Sequence, residues 1–209
     1  MSVVNPGQRQ KIVIVNTGCA NISSVRFALE RLGVEVDVSD DVNVIKSADK
    51  VFLPGVGTAA AAMASIKQKA LVEALQSLTQ PVLGVCLGMQ LMVETSAEGG
   101  FQGTGNIDCL NLMPGHVARM ESKGVRLPHM GWNTVTHSNE SLFKGIPQDT
   151  YFYFVHSFAV PEYEHTLASC TYGKAFSAAI NKDNFYGVQF HPERSGEAGA
   201  QLLTNFVNL

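Results

Sequence analysis

One stretch of ten residues, Pro81 to Gln90, constrains the fold of this chain more than any other. It contains the apolar run Val82 to Val85, whose length and composition are typical of a strand buried on both faces. Helix-forming residues follow from Leu87 to Glu94, so Cys86 lies at the junction between the two patterns. The stretch therefore predicts a strand, a sharp turn and a helix.

Cys86 lies between Gly84 and Gly88, each two residues away. A side chain on so tight a strand-to-helix reversal leaves little space at those two positions, and glycine fits there because it has no Cβ. The turn would expose the thiol, and the positive end of the helix would favour its thiolate form. Cys86 is thus a candidate nucleophile, although a buried structural cysteine fits the same window equally well.

Composition and charge exclude several classes of protein. The 209 residues are 45% hydrophobic and 16% charged, which suits one domain with a sizeable core. The net charge of −3 and the scattered Lys and Arg residues disfavour binding to nucleic acid or to an anionic membrane. Residues 1–10 are polar without an apolar segment, so we expect a loose leader rather than a signal peptide, followed by a single domain over 11–209.

The cysteines indicate a reducing compartment. They are widely separated, form no C-x-x-C pair and have no histidine at zinc-ligand spacing: Cys19, Cys86, Cys109 and Cys170. We therefore expect a cytoplasmic protein without a metal or another cofactor. The uncharged segment between Glu73 and Glu94 is interrupted by glutamines, a proline and glycines, so it does not predict a membrane span.

The N-terminal half predicts the order β-α-β-β-α-β-α, which favours a mostly parallel sheet with helices on both faces. In such folds the chemistry lies at the carboxyl ends of the strands, where both Cys86 and the turn Pro54 to Gly57 are expected. Before the Cys86 turn the predicted elements are a strand Lys11–Val15, a helix Ile22–Leu32 stopped by Gly33, strands Val34–Val38 and Val51–Leu53, and a helix capped by Thr58 that ends near Leu78.

The C-terminal half has a different pattern. A glycine-rich loop from Gly99 to Gly105 is followed by short apolar runs and a final helix from Gly196 to Asn208. We interpret it as a small antiparallel flap plus the closing strand and helix of the same domain. The predicted strands are Val117–Met120, Asn133–Thr136, Tyr151–Val155, Thr166–Thr171, Ala175–Ile180 and Phe185–Phe190.

A second functional motif is His191-Pro192-Glu193, which follows the last predicted strand. With extended geometry beyond the proline, His191 and Glu193 would project to the same side, because side chains alternate along a strand. A thiol nucleophile needs a base within hydrogen-bond reach and a third group that orients the base. Cys86, His191 and Glu193 can supply these three roles.

An oxyanion hole is the remaining part of such a site. Thiolate attack on an amide carbonyl develops negative charge on oxygen, which backbone N–H groups on a turn stabilise well. Leu87 follows the nucleophile directly, and Gly55 and Val56 lie on the turn after the neighbouring strand. These three residues are the candidate donors, although a P-G-x-G turn alone is also an ordinary loop.

The sequence G-V-C-L-G-M-Q from Gly84 to Gln90, with His191-Pro192-Glu193, resembles the class I (triad) glutamine amidotransferase family. Three further stretches, L-P-G-V-G from Leu53, L-P-H-M-G-W-N from Leu127 and Y-F-V-H-S-F from Tyr153, resemble the glutaminase subunits of imidazole glycerol phosphate synthase. The similarity extends from Lys11 onward. It implies a flavodoxin-like α/β fold and hydrolysis of the glutamine side-chain amide.

The resemblance also implies roles for individual residues. Cys86 would form a γ-glutamyl thioester, His191 would transfer protons and Glu193 would orient His191. The amino-acid end of L-glutamine would be held by residues spread over two parts of the chain: Gln90, Glu98, Ser157 and Phe158.

The resemblance further implies a heterodimer with a (β/α)8-barrel cyclase. That partner would use the ammonia to make imidazole glycerol phosphate and aminoimidazole carboxamide ribotide in histidine biosynthesis. The expected interface residues are Asn21, Trp132, Tyr153 and Arg194. The chain departs from the family pattern at Asn16, at Cys19-Ala20 and at Arg194, where lysine is common, which puts details of the N-terminal interface loop in doubt.

Three other interpretations fit parts of the pattern. The chain could be a glutaminase that serves a different synthase, and the stretch Pro128 to Asn133 distinguishes the two. It could be a cysteine hydrolase or peptidase with another acyl substrate. It could also be a non-catalytic binding subunit in which Cys86 is structural.

Overall fold

The computed structural model describes residues 10–18, 21–99, 105–138 and 140–209. The predicted leader, apart from its last residue, lies outside the described residues. Cys19 and Ala20 and most of the predicted loop between Gly99 and Gly105 also lie outside them.

The described part of the chain is built around one sheet of nine strands. In chain order its strands are β1 (Ile12–Val15), β2 (Val36–Ser39), β3 (Lys50–Gly55), β4 (Val82–Cys86), β8 (His129–His137), β9 (Thr150–His156), β11 (Thr166–Tyr172), β12 (Lys174–Lys182) and β13 (Phe185–Val188). Their spatial order is β2-β1-β3-β4-β13-β12-β11-β8-β9. The strands from β2 to β13 in this order are parallel, and the remaining pairings are antiparallel.

The parallel strands are apolar because both of their faces are covered. Along β1, Ile12 and Ile14 join one core cluster while Val13 and Val15 join the other, as the period of two requires. On the first face lie α1 (Ile22–Arg31) and α6 (Gly196–Val207), and on the second lie α2 (Val42–Lys46), α3 (Ala59–Gln68) and α4 (Val72–Gln76). The predicted α/β class is therefore confirmed.

The strands that lie between β4 and β13 in the chain belong to two sheets. Four of them, β12, β11, β8 and β9, extend the main sheet beyond β13. A second sheet of four short strands contains β5 (Thr95–Ser96), β6 (Ile107–Asp108), β7 (His116–Arg119) and β10 (Phe158–Ala159). Only one of these short strands, β7, was predicted from the sequence, because two-residue strands leave almost no periodic pattern.

Helix boundaries were predicted well where a local signal exists. Thr58 caps α3 by accepting a hydrogen bond from the Ala61 amide, and Gly33 follows α1 with a φ of +80°. The single helix predicted up to Leu78 is wrong, because Ala70 has a φ of +53° and the chain turns there to bury Leu71. The short helix α2 was not predicted.

The helix after Cys86 is also shorter than predicted. It is the single turn α5 (Leu87–Gln90) rather than a helix to Glu94. The carbonyl oxygens of Leu91, Met92 and Glu94 instead accept hydrogen bonds from the backbone of residues 109–113. Leu91 and Met92 are fully buried, so this segment serves as core rather than as a helix face.

Two kinds of feature are absent from the described residues. No helix in this part of the chain is long and apolar enough to cross a membrane. The same residues contain no group of three or more His, Cys, Asp or Glu side chains placed to hold a metal ion.

Candidate active site

Cys86 lies on the sharp turn between β4 and α5. Its φ of +54° and ψ of −110° are unusual for a residue with a side chain, and such strain is typical of functional positions. The side chain is half-buried and lines a cleft of about 270 Å³ at the carboxyl ends of β3 and β4. The predicted strand and turn are thus present, and Cys86 lines a cleft instead of lying fully buried in the core.

The glycines around Cys86 are required by close backbone approaches. A Cβ on Gly88 would lie 1.7 Å from the Leu53 carbonyl oxygen of β3, and one on Gly84 would lie 2.7 Å from the Met89 nitrogen. No side chain fits at such distances. These contacts hold α5 against both neighbouring strands and fix the direction in which Cys86 projects.

His191 and Glu193 face the same cleft. The Nδ1 atom of His191 lies 2.9 Å from Oε1 of Glu193, and the two side chains are 14% and 3% exposed. Burial alone would lower the pKa of His191, but hydrogen bonds and charge interactions with Cys86 and Glu193 raise this pKa to about 10. The imidazole therefore interacts with both the Cys86 sulfur and the Glu193 carboxylate, and the raised pKa favours its cationic form at neutral pH.

The backbone that brings this pair together differs from the expectation. Residues Pro192–Arg194 form a turn of 3₁₀ helix with His191 as its N-cap, so the predicted extended geometry is wrong. The hydroxyl of Ser195 donates to the His191 carbonyl at 2.6 Å and accepts from the Tyr153 amide at 3.0 Å. The Tyr153 carbonyl in turn accepts from the His191 amide at 2.9 Å, so the turn is fastened to β9.

The cleft brings together most of the predicted site residues. Besides Cys86, His191 and Glu193, it is lined by the three candidate oxyanion residues, the four candidate substrate residues and two of the expected interface residues: Gly55, Val56, Leu87, Gln90, Glu98, Ser157, Phe158, Asn21 and Arg194. Gly55 is paired with Cys86 in the β3–β4 register. One wall of the cleft is therefore the pair of turns that follow these two strands.

Trp132 and Tyr153 lie outside the cleft but next to it. Their rings meet edge to face at 5.9 Å, and the Arg194 guanidinium lies 5.1 Å from the Tyr153 ring. Trp132 is 54% exposed and Met130 on the same strand is 63% exposed. This exposed apolar cluster at the rim of the cleft is the kind of surface that a partner protein covers.

Glu98 and Gln90 line the same cleft as Cys86 and provide polar groups there. Glu98 accepts a hydrogen bond from the Ala59 amide at 3.3 Å, and burial raises the pKa of its carboxyl. Gln90 is 3% exposed, and its Nε2 donates to the Phe158 carbonyl at 2.8 Å. The cleft thus offers a carboxylate and an amide to a polar ligand.

Three polar residues in and behind this cleft were not predicted from the sequence. Gln189 is fully buried between Gln90 and Cys86, and His156 forms a buried pair with His129 at 3.0 Å. His129 and His156 occur in the quoted motifs and Gln189 lies in the predicted strand Phe185–Phe190, yet no role was predicted for them from the sequence. The available signal was a glutamine inside the apolar run Val188-Gln189-Phe190, since buried glutamine is uncommon.

Comparison with known proteins gives consistent results. The family model "Glutamine amidotransferase class-I" matches residues 13–209. The chain is 59% identical to the imidazole glycerol phosphate synthase subunit HisH of Colwellia psychrerythraea, covering 95% of this chain and 93% of that protein. It is 57% identical to the corresponding subunit of Shewanella sediminis, with 94% and 90% covered. Among solved structures, a glutamine amidotransferase of Thermotoga maritima has a TM-score of 0.63 at 16% identity, with 96% and 84% covered.

Proposed function

Because the chain belongs to the class-I glutamine amidotransferase family, we propose that it is the glutaminase subunit of an imidazole glycerol phosphate synthase. In this role it hydrolyses the side-chain amide of L-glutamine and supplies ammonia to a cyclase subunit in histidine biosynthesis. The relatives that carry this name match nearly the whole chain at 51 to 59% identity.

The observation that carries the catalytic part is the convergence of Cys86, His191 and Glu193 in one cleft. The Cys86 sulfur attacks the amide carbon of glutamine, and the tetrahedral intermediate expels the amide nitrogen. His191 gives that nitrogen its proton, so ammonia leaves and a γ-glutamyl thioester remains. Water then attacks the thioester, His191 takes its proton and returns it to the sulfur, and glutamate is released.

Backbone donors stabilise the negative charge of the tetrahedral intermediate in this scheme. Leu87, Gly55 and Val56 line the cleft together with Cys86, and their backbone amides are the donors. Gly57 has a φ of +90°, and Val56 is 42% exposed, which leaves this turn free to change conformation. We propose that a turn rearrangement completes the oxyanion hole when the cyclase is bound.

Recognition of the substrate uses the two charged groups at the amino-acid end of glutamine separately. The Glu98 carboxylate pairs with the α-ammonium group, and binding a cation there offsets the burial that raises its pKa. The carbonyl oxygen of Gln90 is a second acceptor for this ammonium group, and the backbone at Ser157 and Phe158 positions the α-carboxylate. The cleft suits a small metabolite, because it is lined by these polar groups and holds about 270 Å³.

The partner docks on the rim of the cleft. Asn21 and Arg194 line the rim, while Trp132 and Tyr153 extend it as an exposed aromatic surface. A barrel-shaped cyclase that covers this face would receive ammonia directly from the cleft and would keep it from water. We place the complex in the cytoplasm, where a free thiol such as Cys86 stays reduced.

An active-site label tests the function. A glutamine analogue with an electrophile at the γ position should label Cys86, which peptide mass spectrometry identifies. Burial raises the pKa of Cys109 and Cys170 to about 12, so these thiols should remain unlabelled under the same conditions. Stoichiometric labelling of another cysteine with Cys86 untouched would overturn the assignment.

Substitution of Cys86 tests the partner role. In the reconstituted complex, Cys86→Ala should abolish synthesis from glutamine and leave synthesis from added ammonia intact. The turn rearrangement predicts that glutamine hydrolysis is slow without the cyclase and faster with it. Equal rates with and without the cyclase would remove that part of the proposal.

A further inference from the structure

Gln189 is a fully buried polar side chain that reaches the reacting sulfur. It follows β13 and lies two residues before His191. Its Nε2 lies 3.8 Å from the Cys86 Sγ atom, and its Oε1 lies 2.9 Å from the Nε2 atom of Gln90. Buried polar groups are usually hydrogen-bonded, and here both the NH2 group and the carbonyl oxygen of the Gln189 amide contact residues of the site. This arrangement indicates a role in the site as well as in packing.

The orientation of the Gln189 amide follows from its neighbours. The chain of contacts begins at the Phe158 carbonyl oxygen, which can only accept hydrogen bonds. Gln90 must therefore present its NH2 group to Phe158, at 2.8 Å, and the same NH2 group also faces Gln189. Gln189 must accept this hydrogen bond with its carbonyl oxygen, so its own NH2 group points at the Cys86 sulfur.

The Phe158 carbonyl is held in place from the other side as well. His156 lies with Nδ1 2.9 Å from this oxygen and with Nε2 3.0 Å from Nδ1 of His129. Burial lowers the pKa of His129 to about 4 and that of His156 to about 3, so both rings are neutral at pH 7. Each neutral ring donates once and accepts once, so His129 donates to His156 and His156 donates to Phe158.

We propose that Gln189 stabilises the Cys86 thiolate through an Nε2–H···Sγ hydrogen bond and holds the Gln90 amide with its oxygen toward the substrate. This inference rests on the proposed function, because it assigns a purpose to the thiolate and to Gln90. Since both hydrogens of the Gln90 NH2 group are used on Phe158 and Gln189, only its oxygen remains to accept from the α-ammonium group of glutamine. One side chain thereby prepares both the nucleophile and the substrate site.

Other ionisable groups line the same cleft as the sulfur. The cleft around Cys86 contains His191, Glu193, Arg194, Glu98 and His156. Substitutions at Gln189 leave all five in place, so a change in thiol reactivity reports the loss of the Gln189 donor.

The test measures the rate of alkylation of Cys86 by iodoacetamide from pH 5 to pH 10, with the Cys86 peptide followed by mass spectrometry. Gln189→Met removes the donor and keeps a similar volume. Gln189→Glu keeps an oxygen for Gln90 but places the second carboxyl oxygen against the sulfur. The control is Gln148→Met, which makes the same change at an exposed glutamine. The Gln148 side chain donates a hydrogen bond to the His137 carbonyl and does not line the cleft.

We expect the midpoint of the alkylation profile to rise by about one pH unit in Gln189→Met, which makes alkylation about tenfold slower at pH values below both midpoints. In the complex with the cyclase, the same variant should lower kcat for glutamine and raise its KM. Gln148→Met should leave the profile unchanged. Overlapping profiles for the unmodified chain and folded Gln189→Met would overturn the inference.

Two further measurements keep the test decisive. If Gln189→Met does not fold, as judged by circular dichroism, Gln189→Glu is expected to give an upward shift of at least the same size. In the unmodified chain, the side-chain amide protons of Gln189 should move downfield in NMR spectra as Cys86 ionises, and an unchanged position would also overturn the inference. A chain whose thiol responds as expected but whose complex does not hydrolyse glutamine would refute the proposed function instead.

Discussion

The buried pair His129 and His156 predicts a specific loss of stability in mild acid. Both rings are buried, and His129 is stacked between the rings of Phe154 and Tyr172, at 4.8 and 4.0 Å. Burial lowers the pKa from 6.5 to about 4 for His129 and to about 3 for His156. Below pH 6.5 the unfolded chain therefore binds two protons that the folded chain does not bind, and the free energy of unfolding falls as the pH falls.

The size of the effect follows from the pKa values. Each histidine lowers the free energy of unfolding by about 1.4 kcal/mol for every unit by which the pH falls, once the pH is well below 6.5. This loss ends when the pH reaches the pKa of the histidine in the folded chain. Between pH 6.5 and pH 4.5 this amounts to about 2 kcal/mol for each ring, or about 4 kcal/mol for the pair. His191 has a raised pKa, so the stability from its proton is complete below pH 6.5 and is lost only as the pH rises toward 10.

Urea unfolding followed by circular dichroism at several pH values measures this loss. His129→Phe keeps an aromatic ring in the stack and removes one titrating group, so the loss between pH 6.5 and pH 4.5 should shrink by about 2 kcal/mol. At pH 8 both histidines are neutral in the folded and the unfolded chain, so the change in the free energy of unfolding measured there gives the packing effect of the substitution. This change is subtracted from the values at lower pH. Tyr172→Phe, which keeps the stack and both histidines, should show the full loss. A slope for His129→Phe equal to that of the unmodified chain would refute the reasoning.

Three further predictions concern the cleft. Gly88→Ala should lower the free energy of unfolding by at least about 3 kcal/mol in urea unfolding, because the new methyl group meets the Leu53 carbonyl. The control Gly124→Ala, at a φ of +86° with open space around it, should lower this free energy by only about 1 kcal/mol, and equal losses would contradict the packing argument. Ser195→Ala should cost about 1 to 3 kcal/mol and lower kcat in the complex, since His191 loses its attachment to β9; unchanged stability and kcat would exclude this role. Glu98→Gln should raise the KM for glutamine at least tenfold with a smaller change in kcat, and an unchanged KM in steady-state assays would exclude the ammonium contact.

The sequence predicted the elements whose signals are local. The strand and turn around Cys86 were identified because an apolar run ends at G-x-C-x-G, and the glycines have the close-approach role assigned to them. The cap at Thr58 and the stop at Gly33 were predicted for the same reason.

Features that depend on tertiary contacts were not predictable in this way. The helix after Cys86 stops at Gln90 because the Glu94 amide donates to the Gly115 carbonyl instead of to Gln90, and the backbone amides of residues 109–113 donate to the carbonyls of residues 91–94. The role of Gln189 depends on Gln90 and Phe158, which are distant in sequence and meet only in the folded chain. The 3₁₀ turn at Pro192–Arg194 replaced the expected extended segment because Ser195 fastens it to Tyr153.

The hydrogen bonds between that turn and Tyr153 also have a consequence for self-association. Strand β9 is the last strand of the nine-stranded sheet, and the outer backbone groups of an edge strand readily pair with the edge of another molecule. Here the His191 amide and the Ser195 hydroxyl occupy the carbonyl and the amide of Tyr153. The segment that carries the base of the active site therefore also shields the sheet against intermolecular strand pairing, so a variant that releases this turn should aggregate as well as lose activity.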